Sequence, residues 1–240
     1  MEIRTVDAGR GAGWLGDGFD YFKRAAGAWI AIIVVMFVVY VALTFIPIIG
    51  SLAGQLLGPV FSAGILLGCR RMDEGGELEL GHLFKGFSTG TGPLILLGAL
   101  YLAALIALGI FLVILAFFLI GGVGTLTQLF HGDANALLQN LPMLLVVILL
   151  GMGLYVPVVM AMWFAPALIA LGGLSVQDAV SASFTGCLRN LVPFLIWGVV
   201  VLVLGLVAII PLGLGLLVLM PMIWASTYVA YKEIFVPAAP

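Results

Sequence analysis

Long apolar runs set the pattern of this chain, and short polar stretches punctuate them. Six runs stand out: Ala28–Ile49, Leu52–Cys69, Leu94–Ile120, Met143–Leu171, Val192–Ile210 and Leu212–Tyr231. A membrane-crossing helix needs about 20 apolar residues at a rise of 1.5 Å each. Each run therefore predicts one transmembrane helix, and the third and fourth exceed the requirement by roughly seven residues. Pro47, near the end of the first run, and Pro211, between the fifth and sixth, predict tight turns. The predicted fold is an all-α integral membrane protein, a single polytopic domain over 1–240 with six transmembrane helices.

Three intervening stretches have a different period. Trp14–Arg24 carries Trp14, Gly18, Tyr21 and Phe22 at helical spacing, with Asp17, Asp20, Lys23 and Arg24 between them. Leu78–Phe87 does the same with Leu80, Leu83, Phe84 and Phe87, and Val176–Leu188 with Val176, Val180, Phe184 and Leu188. Each predicts a short amphipathic helix lying in the membrane interface, its aromatic face toward the acyl chains. The prolines add a further regularity: GPVFSAG around Pro59, VPVVMAM around Pro157 and MPMIWAS around Pro221 share Pro, two apolar residues and a later Ala. Interfacial helix, span and proline-centred return span would then form a unit used three times, over 14–71, 78–171 and 175–235.

One run organises the rest. Between Gly50 and Met72, Gly50, Gly54 and Gly58 fall four apart, and so do Gly64 and Gly68. On a helix each set leaves a strip without side chains where a second helix can approach. Pro59 lacks a backbone donor, so its neighbours must satisfy the freed carbonyl. A buried, kinked, closely packed span is expected here, with Gly54 at the centre of the closed strip.

Composition agrees with a bilayer: 64% of the residues are apolar and 8% charged, against about 25% charged in soluble domains. The formal net charge of −2 implies no nucleic-acid partner. With six spans, all nine lysines and arginines fall on one side, that of both termini, and the opposite loops hold His131 and Asp133. The positive-inside rule then puts N and C termini in the cytoplasm. The first residues are mixed in charge and do not read as a cleavable signal, so the first span is expected to target the chain. Cys69 and Cys187 would lie on the reducing side, where a structural disulfide is not expected.

Candidate chemistry is sparse. Gly11-Ala-Gly13-Trp-Leu-Gly16 matches a dinucleotide fingerprint, but no strand pattern precedes it and the motif works only between strand and helix. Asp73, Glu74, Glu77, Glu79 and His82 cluster without the spacing of a defined metal site and read as a solvated loop. Arg70 and Arg189 adjoin the cysteines, but no histidine stands at a useful distance for thiol catalysis. The runs hold no Asp, Glu, Lys, Arg or His in their interiors, the usual mark of relays and pumps. No enzyme activity, cofactor or metal is expected.

The runs PVFSAGILLGCRRMDEGGELELGHLFKGF (Pro59–Phe87), MWFAPALIAL (Met162–Leu171), CLRNLVPFLIWG (Cys187–Gly198) and YVAYKEIF (Tyr228–Phe235), with Trp14, Phe19, Phe22 and Trp29, resemble a family of uncharacterised bacterial six-span inner-membrane proteins. That family is more distantly similar to the membrane domain of some glycerophosphodiester phosphodiesterases. No hydrolase domain of that kind stands in the chain, so its activity does not carry over. The family's proline before Trp29 is missing here. The resemblance implies a bacterial inner membrane and adds little function.

Two functions remain. The first is a non-enzymatic scaffold or accessory subunit, with membrane lipids, partner membrane proteins or a second copy as its contacts. The second is binding or passage of a lipid or other apolar molecule. There the kinks at Pro59, Pro157 and Pro221 would open a crevice, and Arg70, Arg71 and Arg189 would receive anionic head groups.

Overall fold

The structure is a computed structural model and describes residues 2–237. The chain is 83% helix, with no strand among the described residues. Ten α-helices follow one another there: α1 (Arg10–Arg24), α2 (Ala26–Thr44), α3 (Ile49–Asp73), α4 (Thr91–Ile120), α5 (Gly122–Phe130), α6 (Ala134–Trp163), α7 (Ala165–Ala170), α8 (Val176–Arg189), α9 (Leu191–Ile209) and α10 (Leu216–Phe235). A 3-10 helix, Leu80–Phe87, lies between α3 and α4.

Five helical segments, not the six expected, are long and apolar enough to cross a membrane: α2, α3, α4, α6 with α7, and α9. The sixth run forms α10, which starts only at Leu216 and carries Ser226, Thr227, Tyr228, Tyr231, Lys232 and Glu233 in its second half. Those polar groups dilute its apolar content. The helix runs back along α9, where Trp197 Nε1 donates to Ser226 Oγ at 2.9 Å.

Contacts divide the chain into two compact units, Met1–Ala99 with Met160–Pro240, and Leu100–Val159. In the larger unit α3 is the buried helix: 61% of its most apolar window is covered, against 17% for α2 and α9. Val60, Ile65 and Leu66 of α3 are fully enclosed, as are Trp14, Trp29 and Phe164 of the same core. Glycine decides how closely its neighbours approach. A Cβ at Gly64 would lie 2.5 Å from the His82 carbonyl oxygen, and one at Gly86 would lie 2.0 Å from that of Val60. The 3-10 helix is therefore seated directly on the α3 backbone.

The amphipathic stretches are helices, but the largest aromatics of the first are buried inside the protein. Trp14 and Tyr21 of α1 are 0% and 6% exposed. The cause is the seven-residue spacing of Gly11 and Gly18, which puts both on one helix face. A Cβ at Gly11 would lie 2.0 Å from the Pro193 carbonyl oxygen, and one at Gly18 would lie 2.5 Å from that of Met222. α1 thus lies flat on α9 and α10, with Trp14 held between them and ringed by Phe194 at 5.2 Å. Phe19, Phe84 and Phe87 do remain exposed.

In the smaller unit, Gly121 and Gly122 adopt φ of 99° and 80° and end α4, a backbone conformation open to glycine. Asp133 caps α6, accepting the Asn135 N–H at 2.9 Å. The Tyr101 and Tyr155 hydroxyls lie 3.3 Å apart. The sequence pattern did not reveal α5, which occupies the loop that holds His131.

Candidate functional site

The polar chemistry of the larger unit gathers at one end, where α1, α10 and the C-terminus of α3 meet an N-terminal strap. Asp73, the last residue of α3, accepts from the hydroxyls of Tyr21 and Tyr228 and from Lys232 Nζ. Lys232 also donates to the Tyr21 hydroxyl at 3.2 Å and sits 5.1 Å from the Tyr228 ring centre. The next residue, Glu233, accepts from Arg10 Nε at 3.0 Å and from Trp14 Nε1 at 2.8 Å. Arg10 reaches Asp17 as well, at 2.7 Å.

Burial pushes the Glu233 carboxyl pKa upward, but the hydrogen bonds from Arg10 and Trp14 outweigh it and hold the group below the usual carboxylate range. Burial, reinforced by Asp73, raises the Tyr21 hydroxyl far above the usual phenol value. Tyr21 is therefore a neutral donor. Chemically the cluster is a self-satisfied clasp: three carboxylates hold two cations, two phenols and an indole.

The strap closes the same end. Arg4 N–H donates to the Ile234 carbonyl at 2.9 Å, so the two ends of the chain lie together. Asn190, fully buried between α8 and α9, accepts the Val6 N–H at 2.9 Å and donates to the Arg4 carbonyl at 3.0 Å. Arg4 Nη2 donates to the Lys232 carbonyl at 3.0 Å. A cleft of about 600 Å³ opens beside the strap, lined by Arg4, Asp7, Arg10, Lys232 and Glu233.

Of the head-group candidates, Arg70 and Arg71 are exposed and share Glu74 at 3.7 and 4.0 Å, loose pairs of small energetic worth. Arg189 is exposed and donates to the Ile3 carbonyl at 3.1 Å. The carboxylates that followed Arg71 in the sequence separate: Asp73 turns to Lys232, whereas Glu79 and His82 cap the 3-10 helix. No group of three or more metal-ligating side chains occurs among the described residues. Both cysteines are free and buried, and burial pushes the Cys187 thiol up to about 12.

The predicted glycine strip is closed at one end only. A Cβ at Gly50 would lie 1.8 Å from the Leu43 carbonyl oxygen, but at Gly54 it meets only Tyr40 Cε1 at 3.4 Å, and at Gly58 the Tyr40 hydroxyl at 3.7 Å. The strip opens because the Tyr40 ring, not the α2 backbone, faces it. A groove of about 510 Å³ results, lined by Tyr40, Thr44, Ser51, Gly54, Gln55 and Gly58. Pro59 is half-buried, Pro221 buried and Pro157 exposed, and α3, α6 and α10 continue through them.

The clasp was beyond sequence reasoning, because its partners lie far apart along the chain. The one available signal was the polar run Tyr228-x-x-Tyr231-Lys232-Glu233 closing an otherwise apolar segment.

The chain is 28% identical over 240 residues to a probable inner membrane protein of Burkholderia thailandensis, an alignment covering 95% of this chain and 84% of that protein. No family model matches the chain. No solved structure matches it.

Proposed function

We propose that this chain is an inner-membrane scaffold or accessory subunit without catalytic activity of its own. The clasp carries the reading: Asp73, Lys232, Glu233 and Arg10, the charged groups gathered in the larger unit, are engaged by one another and by Tyr21, Tyr228 and Trp14. Such a cluster fixes helices in place. The relative's description supports the inner membrane. The positive-inside rule supports a cytoplasmic clasp face, because the lysines and arginines lie in the strap, in α1, in the 3-10 helix and at the C-terminal ends of α3, α8 and α10. The likeness to six-span bacterial families, more distantly to phosphodiesterase membrane domains, and the threefold repeat of short helix and hairpin belong to the same reading. Purification of the tagged full chain in mild detergent, followed by mass spectrometry and light scattering, tests it. A stoichiometric membrane partner or a defined oligomer is expected. A chain that is monomeric and partner-free in several detergents overturns the scaffold role.

The groove between α2 and α3 favours a second reading, the binding of a lipid or other apolar molecule. Its glycine floor and its Gln55 and Tyr40 side chains would take one acyl chain with a small polar end. Arg70, Arg71 and Arg189 would attract anionic head groups to the same unit. Native mass spectrometry of the wild type and Gly54→Leu is the test. Lipid retained by the wild type and lost from the filled groove supports this reading, and equal retention removes it.

A further inference from the structure

The turns that close the α2–α3 and α9–α10 hairpins have no polar side chain. They read Phe45-Ile46-Pro47-Ile48-Ile49 and Ile209-Ile210-Pro211-Leu212-Gly213-Leu214. Turns in water draw on Asn, Asp, Ser and Gly, whose side chains bond their own backbone or allow positive φ. Here the chain keeps apolar residues even where the backbone disfavours them. Ile48 has φ 63° and ψ −59°, and the Ile49 N–H donates to the Pro47 carbonyl at 2.7 Å. That is a classic γ-turn, rare and strained, and centred on a β-branched residue. Leu212 has φ 56°. These are the positive-φ residues other than glycine among those described, and each directly follows a proline.

The side chains project outward: Phe45 is 80% exposed, Ile48 76%, Ile210 79% and Leu212 96%. The backbone behind them is largely satisfied from within. Phe45, Ile46, Gly50 and Leu52 donate to carbonyls three or four residues back, as do Ile210, Gly213, Leu214 and Leu216 in the second turn. Pro47 and Pro211 have no donor to satisfy. This meets the condition for placing a turn in hydrocarbon, where an unsatisfied backbone group costs several kcal/mol.

Length points the same way. α2 and α9 each have 19 residues, about 28 Å at 1.5 Å per residue. Both start beside charge, at Arg24 and Arg189. The hydrocarbon core is about 30 Å thick, and an ordinary tilt of about 20° shortens the reach further. A helix anchored in water at its charged end stops short of water at the other.

We propose that both hairpin turns are seated among the acyl chains of the far leaflet and do not emerge into water. The inference requires residence in a bilayer and neither functional reading in particular. Phe45→Cys and Leu212→Cys in the full-length chain test it, with Glu77→Cys on the charged face as the water-exposed reference. The unmodified chain gives the background, because Cys69 and Cys187 are buried. Membrane fragments open on both sides are treated with a charged maleimide that does not enter lipid. Phe45→Cys and Leu212→Cys are expected to label no faster than the unmodified chain, and to label fully once the membrane is dissolved in SDS. Labelling of either at the Glu77→Cys rate overturns the proposal. Nitroxides at the two turns give a second readout: relaxation by oxygen should exceed relaxation by a water-soluble nickel chelate. The reverse order overturns the proposal, and so does protection from both reagents, which would mean that a partner or second copy covers the turn.

Discussion

Single atoms decide where this protein tolerates change. Gly64 and Gly54 lie on the same helix and look alike in sequence, yet a methyl group would meet the His82 backbone oxygen at 2.5 Å in one case and the edge of the Tyr40 ring at 3.4 Å in the other. Gly64→Ala should lower thermal stability in detergent by about 1–3 kcal/mol, as overpacking does. Gly54→Ala should be neutral or stabilising by up to about 1 kcal/mol, the helix propensity of Ala over Gly. Glu233 poses a different test. Glu233→Gln keeps an acceptor for the Trp14 N–H, whereas Glu233→Leu leaves that fully buried donor without one. The Leu variant should lose about 1–3 kcal/mol more than the Gln variant in the same melting experiment.

Among the elements, the 3-10 helix docks through a histidine that responds to a proton. His82 is 4% exposed, its Nδ1 accepts the Glu79 N–H at 3.0 Å, and its Nε2 has no partner. Burial first, then the charge of Lys85, depresses its pKa, against the opposing influence of Glu79. Because the folded pKa lies below the unfolded value of about 6.5, the folded state is favoured above that pH. It is destabilised as pH falls from there through the folded pKa. Melting temperature should therefore fall as pH is lowered below about 6.5 in the wild type, and His82→Gln should flatten that slope. Apolar periodicity made most of these elements legible, including the buried character of α3, but a glycine every fourth residue did not tell the closed contacts at Gly50 and Gly64 from the open ones at Gly54 and Gly58. It could not say which face of α1 was internal, since Trp14 suits a lipid interface as well as a protein core. Nor could it foresee that α10, predicted as a sixth span, is too polar in its second half to count as one, with buried hydroxyls and a clasp in place of apolar residues. The clasp joins residues 21 and 73, and 14 and 233, and no local pattern encodes such pairs.

At the scale of the whole molecule, the larger unit joins the beginning of the chain to its end, and this arrangement sets an order of assembly. Ribosomes release the strap and α1 first, but their docking surface is the end of α10 with the Asn190 junction, about two hundred residues later in the chain. Until that surface exists, the apolar face of α1 is covered only in part, by Phe194 of α9 at Trp14 and by the end of α3 at Tyr21. A chain truncated after Ile209 should therefore insert its earlier helices yet be cut by protease between Arg4 and Arg24, where the full chain resists; equal resistance would show that α1 finds its place unaided. Biogenesis of this protein thus includes an interval in which an aromatic amphipathic helix waits at the membrane surface, open to chaperones and proteases, and release from that interval comes only with the synthesis of α10.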